Sequence, residues 1–428
     1  DYYGQEATML HADIPEVRFF IDPSTGDESA YVATDGGLYV SYDNIQTVQN
    51  LSLNGLGVSQ YYSTYTKRSA PHLVYAGSQD QGYQRSLSDD DGILDFDQII
   101  SGDYGHIVSG DGGESIWCDY PGFVLYYGDA TNGSNGSTWD FAGSGYLWIA
   151  PLTADPTDPE VCYIGGGGKG GGKHITRLEV NNGNISAQQM TYNFASTISA
   201  LEISLIDPTH WYVLTSDGQF YYSSDSGENW TLSVAFEGPD SHYFYGSGIH
   251  ASATDLGTVY IGGSGYSNPA VFVTHNHGGN FIALENGLPP TLVYELEGNE
   301  NDSILFAATE VGPYAYLPDE DLWYDLAGVS APDQTYWTVD YIPELATARF
   351  GTYGRGIWDF SLEGYDWVTP GDVNQDNNVD VTDLILVINI ILEITIPTDE
   401  MLAAADVNED GSVNVQDVVG IVNLILDI

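Results

Sequence analysis

The chain has 428 residues, enough for one large domain and a second small one. It carries 61 acidic and 9 basic residues, a net charge of −52, and all nine basic residues precede residue 371. This composition excludes nucleic acid as a partner and insertion into a membrane, because phosphate surfaces attract Lys and Arg and no run of 18 apolar residues occurs. The acidity favours a bacterial protein exported into a saline or marine setting, where salt screens the self-repulsion.

Residues 1–366 contain a sequence repeat of about 40 to 45 residues. Each unit has an apolar strand, a turn, an aromatic-rich strand such as Trp211–Thr215, and a Gly-rich turn before a third strand. The units begin near residues 16, 58, 105, 146, 198, 245, 291 and 335. They predict an all-β propeller of about eight four-stranded blades, with seven as the alternative. The last unit lacks an outer strand before Gly364, and Tyr2–Met9 is expected to complete it.

Two segments of this region carry a sharper motif. Ser223–Trp230 follows the pattern Ser-x-Asp-x-Gly-x-x-Trp, and Thr274–Phe281 is a degenerate copy. The pattern predicts a hairpin turn between the third and fourth strands, in which Asp or Asn binds backbone amides and Gly takes a positive φ. With Ala76–Asp80 and Gly351–Trp358, these motifs resemble those of the Asp-box (BNR) propellers, which include sortilin-like proteins and family 74 xyloglucanase-like glycoside hydrolases. The resemblance implies the fold and says little about a reaction.

Chemistry in the propeller is less clear from the sequence. A glycosidase needs two facing carboxyl groups, and Asp80 and Asp111 are the candidates, expected to face the central channel as acid/base groups or as metal ligands. Asp35 is interpreted as a turn residue, and His11 with Asp13 forms a candidate metal pair. The xyloglucanase-like enzymes pair two propellers around a cleft, whereas this chain has one. That difference favours a protein without catalytic activity.

The only two cysteines are Cys118 and Cys162. An exported protein can join such a pair in a disulfide, and two buried free thiols agree equally well with the sequence. Both alternatives therefore stay open at this point.

After a linker at residues 367–370, residues 371–428 contain an internal duplication with an offset of 34 residues. Each copy fits a 12-residue calcium loop followed by a helix, because Ca²⁺ prefers six to eight oxygen ligands and such a loop supplies them from alternating positions. Position 7 of each loop contributes its backbone carbonyl. The expected ligands of the two ions are Asp372, Asn374, Asp376, Asn378, Asp380, Asp383, Asp406, Asn408, Asp410, Ser412, Asn414 and Asp417.

This segment resembles a type I dockerin, which has two loop–helix repeats related by near two-fold symmetry and usually Asp at position 12. The resemblance implies a cohesin-like partner bound through a helix face. Val381 and Thr382 in one repeat, and Val415 and Gln416 in the other, occupy the specificity positions of that family. The two pairs differ, which favours one binding orientation. The helices are apolar almost all round, so some of that surface should pack on a partner, a neighbouring copy or the large domain.

The sequence thus predicts a secreted or cell-surface protein with a propeller at 1–366 and an all-α, calcium-binding dockerin at 371–428. The favoured function is non-catalytic attachment or assembly, either to a cohesin-like protein or to neighbouring copies of the chain. The alternative is a secreted glycan-active propeller, a glycoside hydrolase of xyloglucanase or sialidase type, or a polysaccharide-binding module that the dockerin tethers.

Overall fold

A computed structural model of the chain describes residues 9–86, 95–131, 136–140, 147–166, 172–234, 245–266, 269–328, 331–362, 371–374, 379–392, 394–395, 397–408 and 412–426. The chain forms two compact units, Asp1–Phe360 and Ser361–Ile428. The predicted linker at 367–370 lies outside the described residues. In the described part of the chain, none of the helices combines the length and the apolar character needed to cross a membrane.

The described residues of the first unit form eight antiparallel sheets, seven with four strands and one with three. The strands of the first four sheets are β1 Glu16–Ile21, β2 Glu28–Thr34, β3 Gly37–Ser41, β4 Gln49–Asn50; β5 Tyr61–Thr66, β6 Val74–Ser78, β7 Gly82–Ser86, β8 Phe96–Ile100; β9 Ile107–Val108, β10 Ile116–Tyr120, β11 Phe123–Tyr127, β12 Ser137–Asp140; and β13 Leu152–Ala154, β14 Val161–Ile164, β15 Thr176–Asn181, β16 Asn184–Gln189. Those of the last four are β17 Ile198–Ile203, β18 Trp211–Thr215, β19 Phe220–Ser223, β20 Thr231–Leu232; β21 Gly246–Ala251, β22 Val259–Gly263, β23 Val271–Thr274, β24 Ile282–Ala283; β25 Val293–Gly298, β26 Leu305–Thr309, β27 Gly312–Leu317, β28 Leu322–Asp325; and β29 Tyr336–Ile342, β30 Thr347–Thr352, β31 Ile357–Ser361.

Seven of the sheets form a closed ring. Their first strands pack side by side in the order β5, β9, β13, β17, β21, β25, β29, and β29 packs against β5. All seven strands line one central channel of about 320 Å³, which is the arrangement of a β-propeller. The first sheet stands outside this ring, and its strand β1 is exposed along its whole length. The predicted all-β propeller is therefore confirmed. Eight sheets are present among the described residues, and seven of them are blades of the ring, which is the number given as the alternative.

Side-chain ion pairs hold the two ends of the ring together. Asp340 on β29 accepts hydrogen bonds from the Thr66 amide of β5 and from Arg68, both at 2.6 Å. Arg349 on β30 binds both carboxylate oxygens of Asp359 at 2.7 Å and donates to the Thr66 hydroxyl at 3.0 Å. The last sheet has three strands in the described residues, in agreement with the prediction that the last repeat lacks its outer strand. The segment expected to complete it lies outside the described residues, apart from Met9.

Four turns of this unit share one hydrogen-bond pattern. In Ser223–Asn229, the Ser223 hydroxyl accepts from the Gly227 amide at 3.0 Å, and the Asp225 carboxylate accepts from the Asn229 amide at 2.9 Å. The same two bonds recur in Ser41–Thr47, Ser109–Ser115 and Thr274–Asn280. Three of the four turns, Ser41–Thr47, Ser223–Asn229 and Thr274–Asn280, join the third and fourth strands of a sheet. The hairpin turns expected in two segments are thus present, together with two that the sequence pattern does not predict.

The core lies between neighbouring sheets. Strands β6, β18 and β26, each second in its sheet, are buried at every residue, which explains their nearly continuous apolar sequence. Cys118 on β10 and Cys162 on β14 are both buried free thiols, and burial raises the pKa of each thiol well above its usual range. Of the two alternatives left open by the sequence, the structure shows the free thiols.

The part of the second unit that the structure describes contains the helices α1 Val381–Ile391, α2 Asp399–Ala405 and α3 Val415–Leu426. The carboxylate of Asp380 caps α1 by accepting a hydrogen bond from the Thr382 amide at 2.7 Å. One fully buried residue of each helix, Val387, Ala404 and Ile421, meets in a single small core. The duplicated sequence thus folds into one domain, with a helix after each loop.

Candidate functional sites

The last position of each predicted calcium loop has the same buried geometry. The Asp383 carboxylate is fully buried, and its two oxygens accept from the amides of Asn374 and Asp380, both at 2.9 Å. Asp417 is fully buried as well, and its oxygens accept from the amides of Asn408 and Asn414 at 3.4 and 2.8 Å. In both repeats, therefore, the carboxylate at position 12 accepts hydrogen bonds from the backbone amides of positions 3 and 9 of its own loop.

The residues of this unit fit calcium on charge as well as on geometry. Asp372, at position 1 of the first loop, is 5% exposed, so three buried carboxylates lie within a segment that contains no Lys or Arg. Buried carboxylates need a compensating cation, and a hard divalent ion with oxygen ligands supplies it. Three further predicted ligands, Asp376, Asn378 and Asp410, lie outside the described residues.

The two loop helices also leave apolar side chains in solvent. On α1 the exposed residues are spaced by four, three and four positions, so they form one stripe along the helix. This α1 stripe consists of Val381, Ile385, Ile388 and Leu392. On α3 the exposed apolar residues are Val415, Val419 and Leu424, of which the first two correspond to Val381 and Ile385 by the 34-residue offset. All four predicted partner-binding residues are exposed at the starts of these helices.

Five blades place an extra residue in their first strand at the same end of the channel. These bulge residues are Tyr62, Ser199, Ser247, Tyr294 and Trp337. The Trp337 ring lies 4.9 Å from the ring centres of Tyr62, Tyr294 and Tyr353. A β-bulge redirects a side chain out of the sheet, and here it builds an aromatic cluster at one mouth of the channel.

Carboxyl groups line the channel behind this aromatic cluster. They belong to Glu202, Glu295, Glu297 and Asp340. Burial raises the pKa of Glu295 to about 7 and the pKa of Glu202 and Glu297 to about 8 each. Glu295 accepts a hydrogen bond from the Val339 amide of the next blade at 3.0 Å. Sequence reasoning missed these glutamates, although an acidic residue inside an otherwise apolar first strand is a usable signal.

The sequence candidates Asp80 and Asp111 are found in turns of the first unit. Asp111 accepts from the Ser109 hydroxyl at 2.8 Å and from the Ser115 amide at 2.9 Å, in one of the four repeated turns. Neither residue is among those that line the channel in the described part of the chain. Asp111 follows a strand closely enough to be mistaken for a channel residue, but its carboxylate is engaged by its own turn.

Asp80 belongs to a different group of side chains. His11 comes together with Asp35 and Asp80, whereas its predicted partner Asp13 is not a member of the group. The Asp80 amide also donates to the carboxylate of Asp103 at 3.3 Å. Asp35, expected to be only a turn residue, is thus brought to His11 by long-range folding that local sequence does not reveal.

Comparison with known families identifies the second unit. Residues 370–426 match the family described as the dockerin type I domain, and the predicted dockerin is confirmed. Type I dockerins bind calcium, so Ca²⁺ is the cofactor of this module, and they attach proteins through a cohesin-type interaction. Domains of this family are typical of extracellular or cell-surface proteins. No curated protein matches the chain.

Proposed function

We propose that the chain is an exported, non-catalytic attachment protein whose dockerin fixes a propeller to a cohesin-like partner or to neighbouring copies of the chain. The observation that carries this proposal is the paired geometry of Asp383 and Asp417, with an exposed apolar stripe on the helix that follows each loop. The repeated turns support the further proposal that the propeller is of the Asp-box kind.

The test is the mass of the full chain in solution with calcium, alone and with an isolated type I cohesin domain, measured by sedimentation velocity. A one-to-one complex that disappears in EDTA supports attachment to a cohesin. Calcium-dependent oligomers of the chain alone support self-assembly. Calcium-independent monomers that bind no cohesin contradict both forms of the proposal.

A charge placed among the exposed apolar residues of α1 or of α3 should distinguish one binding orientation from two. We expect either Ile385→Asp or Val419→Asp, and not both, to weaken the complex about 30-fold, because a buried unpaired carboxylate costs about 2 kcal/mol. Thr382 and Gln416 differ beside these positions, which supports a single orientation. Binding is measured by calorimetry in calcium, with Leu402→Asp on α2 as the control. Small losses for each single variant and complete loss for the double variant would indicate two equivalent orientations.

A second candidate function, binding or hydrolysis of a polysaccharide, is favoured by the channel. Its mouth carries the aromatic cluster, and Glu295 and Glu297 stand two residues apart on β25, so their side chains leave the strand on the same side about 7 Å apart. Inverting glycosidases use two carboxyl groups about 6.5–9.5 Å apart, one of which stays protonated as the acid. A raised pKa is what such an acid needs at neutral pH.

Turnover of a panel of plant and algal polysaccharides tests this candidate. If the channel is catalytic, Glu297→Gln should lower the rate at least 100-fold, and wild-type activity should fall as the pH rises past about 8, because the acid then loses its proton. Glu285→Gln, which alters an exposed glutamate, is the control. Turnover that Glu297→Gln abolishes would overturn the non-catalytic proposal, and an inactive wild type that binds none of the panel would remove the glycan candidate.

A further inference from the structure

Three potential metal ligands meet where the first sheet adjoins the second. A ring nitrogen of His11 and carboxylate oxygens of Asp35 and Asp80 all lie within 4.8 Å of one another. His11 precedes β1, Asp35 lies in the turn between β2 and β3, and Asp80 lies in the turn between β6 and β7. Among the described residues, this is the single group of three or more His, Cys, Asp or Glu side chains with ligand atoms this close.

The surrounding backbone holds these ligands in place. Asp35 contacts Nδ1 of His11 and accepts a hydrogen bond from the Gly36 amide at 2.9 Å. The His11 ring lies against Gly36, where an added Cβ would come within 2.5 Å of the ring Cγ. A side chain at position 36 would therefore displace the imidazole, so glycine is required for the histidine to reach the two carboxylates.

The charges of this group are unbalanced. Asp103 adds a third carboxylate, which accepts from the Asp80 amide at 3.3 Å. In the described part of the chain, the ion pairs of these carboxylates include no Lys or Arg, and Asp35 pairs with His11 alone. Three carboxylates and one imidazole leave a net negative charge that a bound cation would offset.

A cavity adjoins the group at Asp35. It has a volume of about 430 Å³, and Asp35, Gln60, Gln79 and Gln81 border it. Ser59 also borders it and is 2% exposed. A space of this size can hold ordered water, and the amide groups that border it can bind that water.

We propose that His11, Asp35 and Asp80 bind a first-row divalent metal ion such as Zn²⁺ or Mn²⁺, with water in the cavity completing its coordination. An imidazole nitrogen with two carboxylates suits these ions, whereas Ca²⁺ prefers oxygen ligands alone, so this site differs from those of the dockerin. The ion would join the first sheet to the blade formed by β5–β8. The site does not depend on the function proposed for the dockerin.

The experiment uses the full chain in excess Ca²⁺, which keeps the dockerin loops filled, and measures Zn²⁺ and Mn²⁺ binding by equilibrium dialysis. We expect one bound ion of either metal, and an at least tenfold loss of affinity in His11→Gln and in Asp80→Asn. The control is His277→Gln, because His277 stacks on His210 and that pair offers an alternative zinc ligand set. Tryptophan fluorescence verifies that each variant is folded.

Three results would overturn the proposal: no ion bound in excess Ca²⁺, equal binding by wild type and both site variants, or a loss that follows His277→Gln instead. If His11→Gln does not fold, Asp80→Asn decides the question, because Asp80 is close in size to Asn and its turn needs no charge. Binding that survives in a folded Asp80→Asn variant counts against the site.

Discussion

Removal of calcium is expected to unfold the dockerin and leave the propeller intact. At a free concentration of a thousand times its Kd, each ion stabilises the folded state by about 4 kcal/mol. A module of this size has a total stability of roughly 3–5 kcal/mol from its core, and this one must also hold three buried carboxylates without a basic residue. Loss of two ions therefore exceeds what the helices can supply.

Two signals separate the units of the chain. Residues 371–428 contain no aromatic residue, so tryptophan fluorescence reports on the rest of the chain, while circular dichroism at 222 nm follows the helices. In EDTA the helical signal should disappear and the fluorescence should not change. Proteinase K, a serine protease that stays active in EDTA, should then cut the module; trypsin is unsuitable because the module lacks Lys and Arg. Equal resistance to proteinase K with and without EDTA would contradict the calcium assignment.

Single substitutions test the two loops one at a time. Asp383→Asn and Asp417→Asn should each remove one of the two ions in a calcium titration, since each keeps the size of the side chain and removes its charge. Their similar hydrogen bonds predict effects of similar size. Asp27→Asn, at an exposed carboxylate of the first unit, is the control and should leave both ions bound. Full calcium binding by Asp383→Asn would show that position 12 is not a ligand.

What the sequence could and could not predict follows from the range of the interactions. The dockerin loops are local, because Asp383 binds amides at most nine residues away, and spacing alone brings those groups together. The channel depends on the whole ring, because its lining residues come from the first strands of all seven blades. The position of the first sheet outside the ring could not be predicted from the sequence either, because the repeat indicates that a sheet forms and not which sheets pack beside it.

The same reasoning applies to the candidates Asp80 and Asp111. Each has a glycine within the next two residues, Gly82 and Gly112, so the sequence predicts a turn at both. Asp111 satisfies its carboxylate within its own turn, whereas Asp80 meets His11 across 69 positions of the chain. Only the fold separates a structural aspartate from one that belongs to a group of potential ligands.

Loss of Arg349 is expected to lower the stability of the propeller by about 3 kcal/mol, without any effect of calcium. Arg349 is 5% exposed and makes hydrogen bonds to Asp359, the Thr66 hydroxyl and the Pro71 carbonyl, which join the last blade to the first blade of the ring. The blades of a propeller leave only short, protected strand edges while the ring is closed. Loss of the Arg349 contact would therefore also weaken the packing between the last and first blades. The Asp359 side chain is 43% exposed, so most of the loss comes from the buried hydrogen bonds to Thr66 and Pro71. A hydrogen bond to a charged group contributes about 1.5–3 kcal/mol.

The measurement is urea unfolding of Arg349→Met followed by tryptophan fluorescence, because methionine keeps most of the apolar stem and removes the donors. The matched control is Arg177→Met, which breaks the Arg177–Glu179 pair at 2.5 Å within a single strand. Both partners of that pair are about one-third exposed, and such pairs contribute at most about 1 kcal/mol. Equal losses in the two variants would mean that the hydrogen bonds of Arg349 contribute no more than an exposed ion pair. Packing of β29 against β5 would then close the ring by itself.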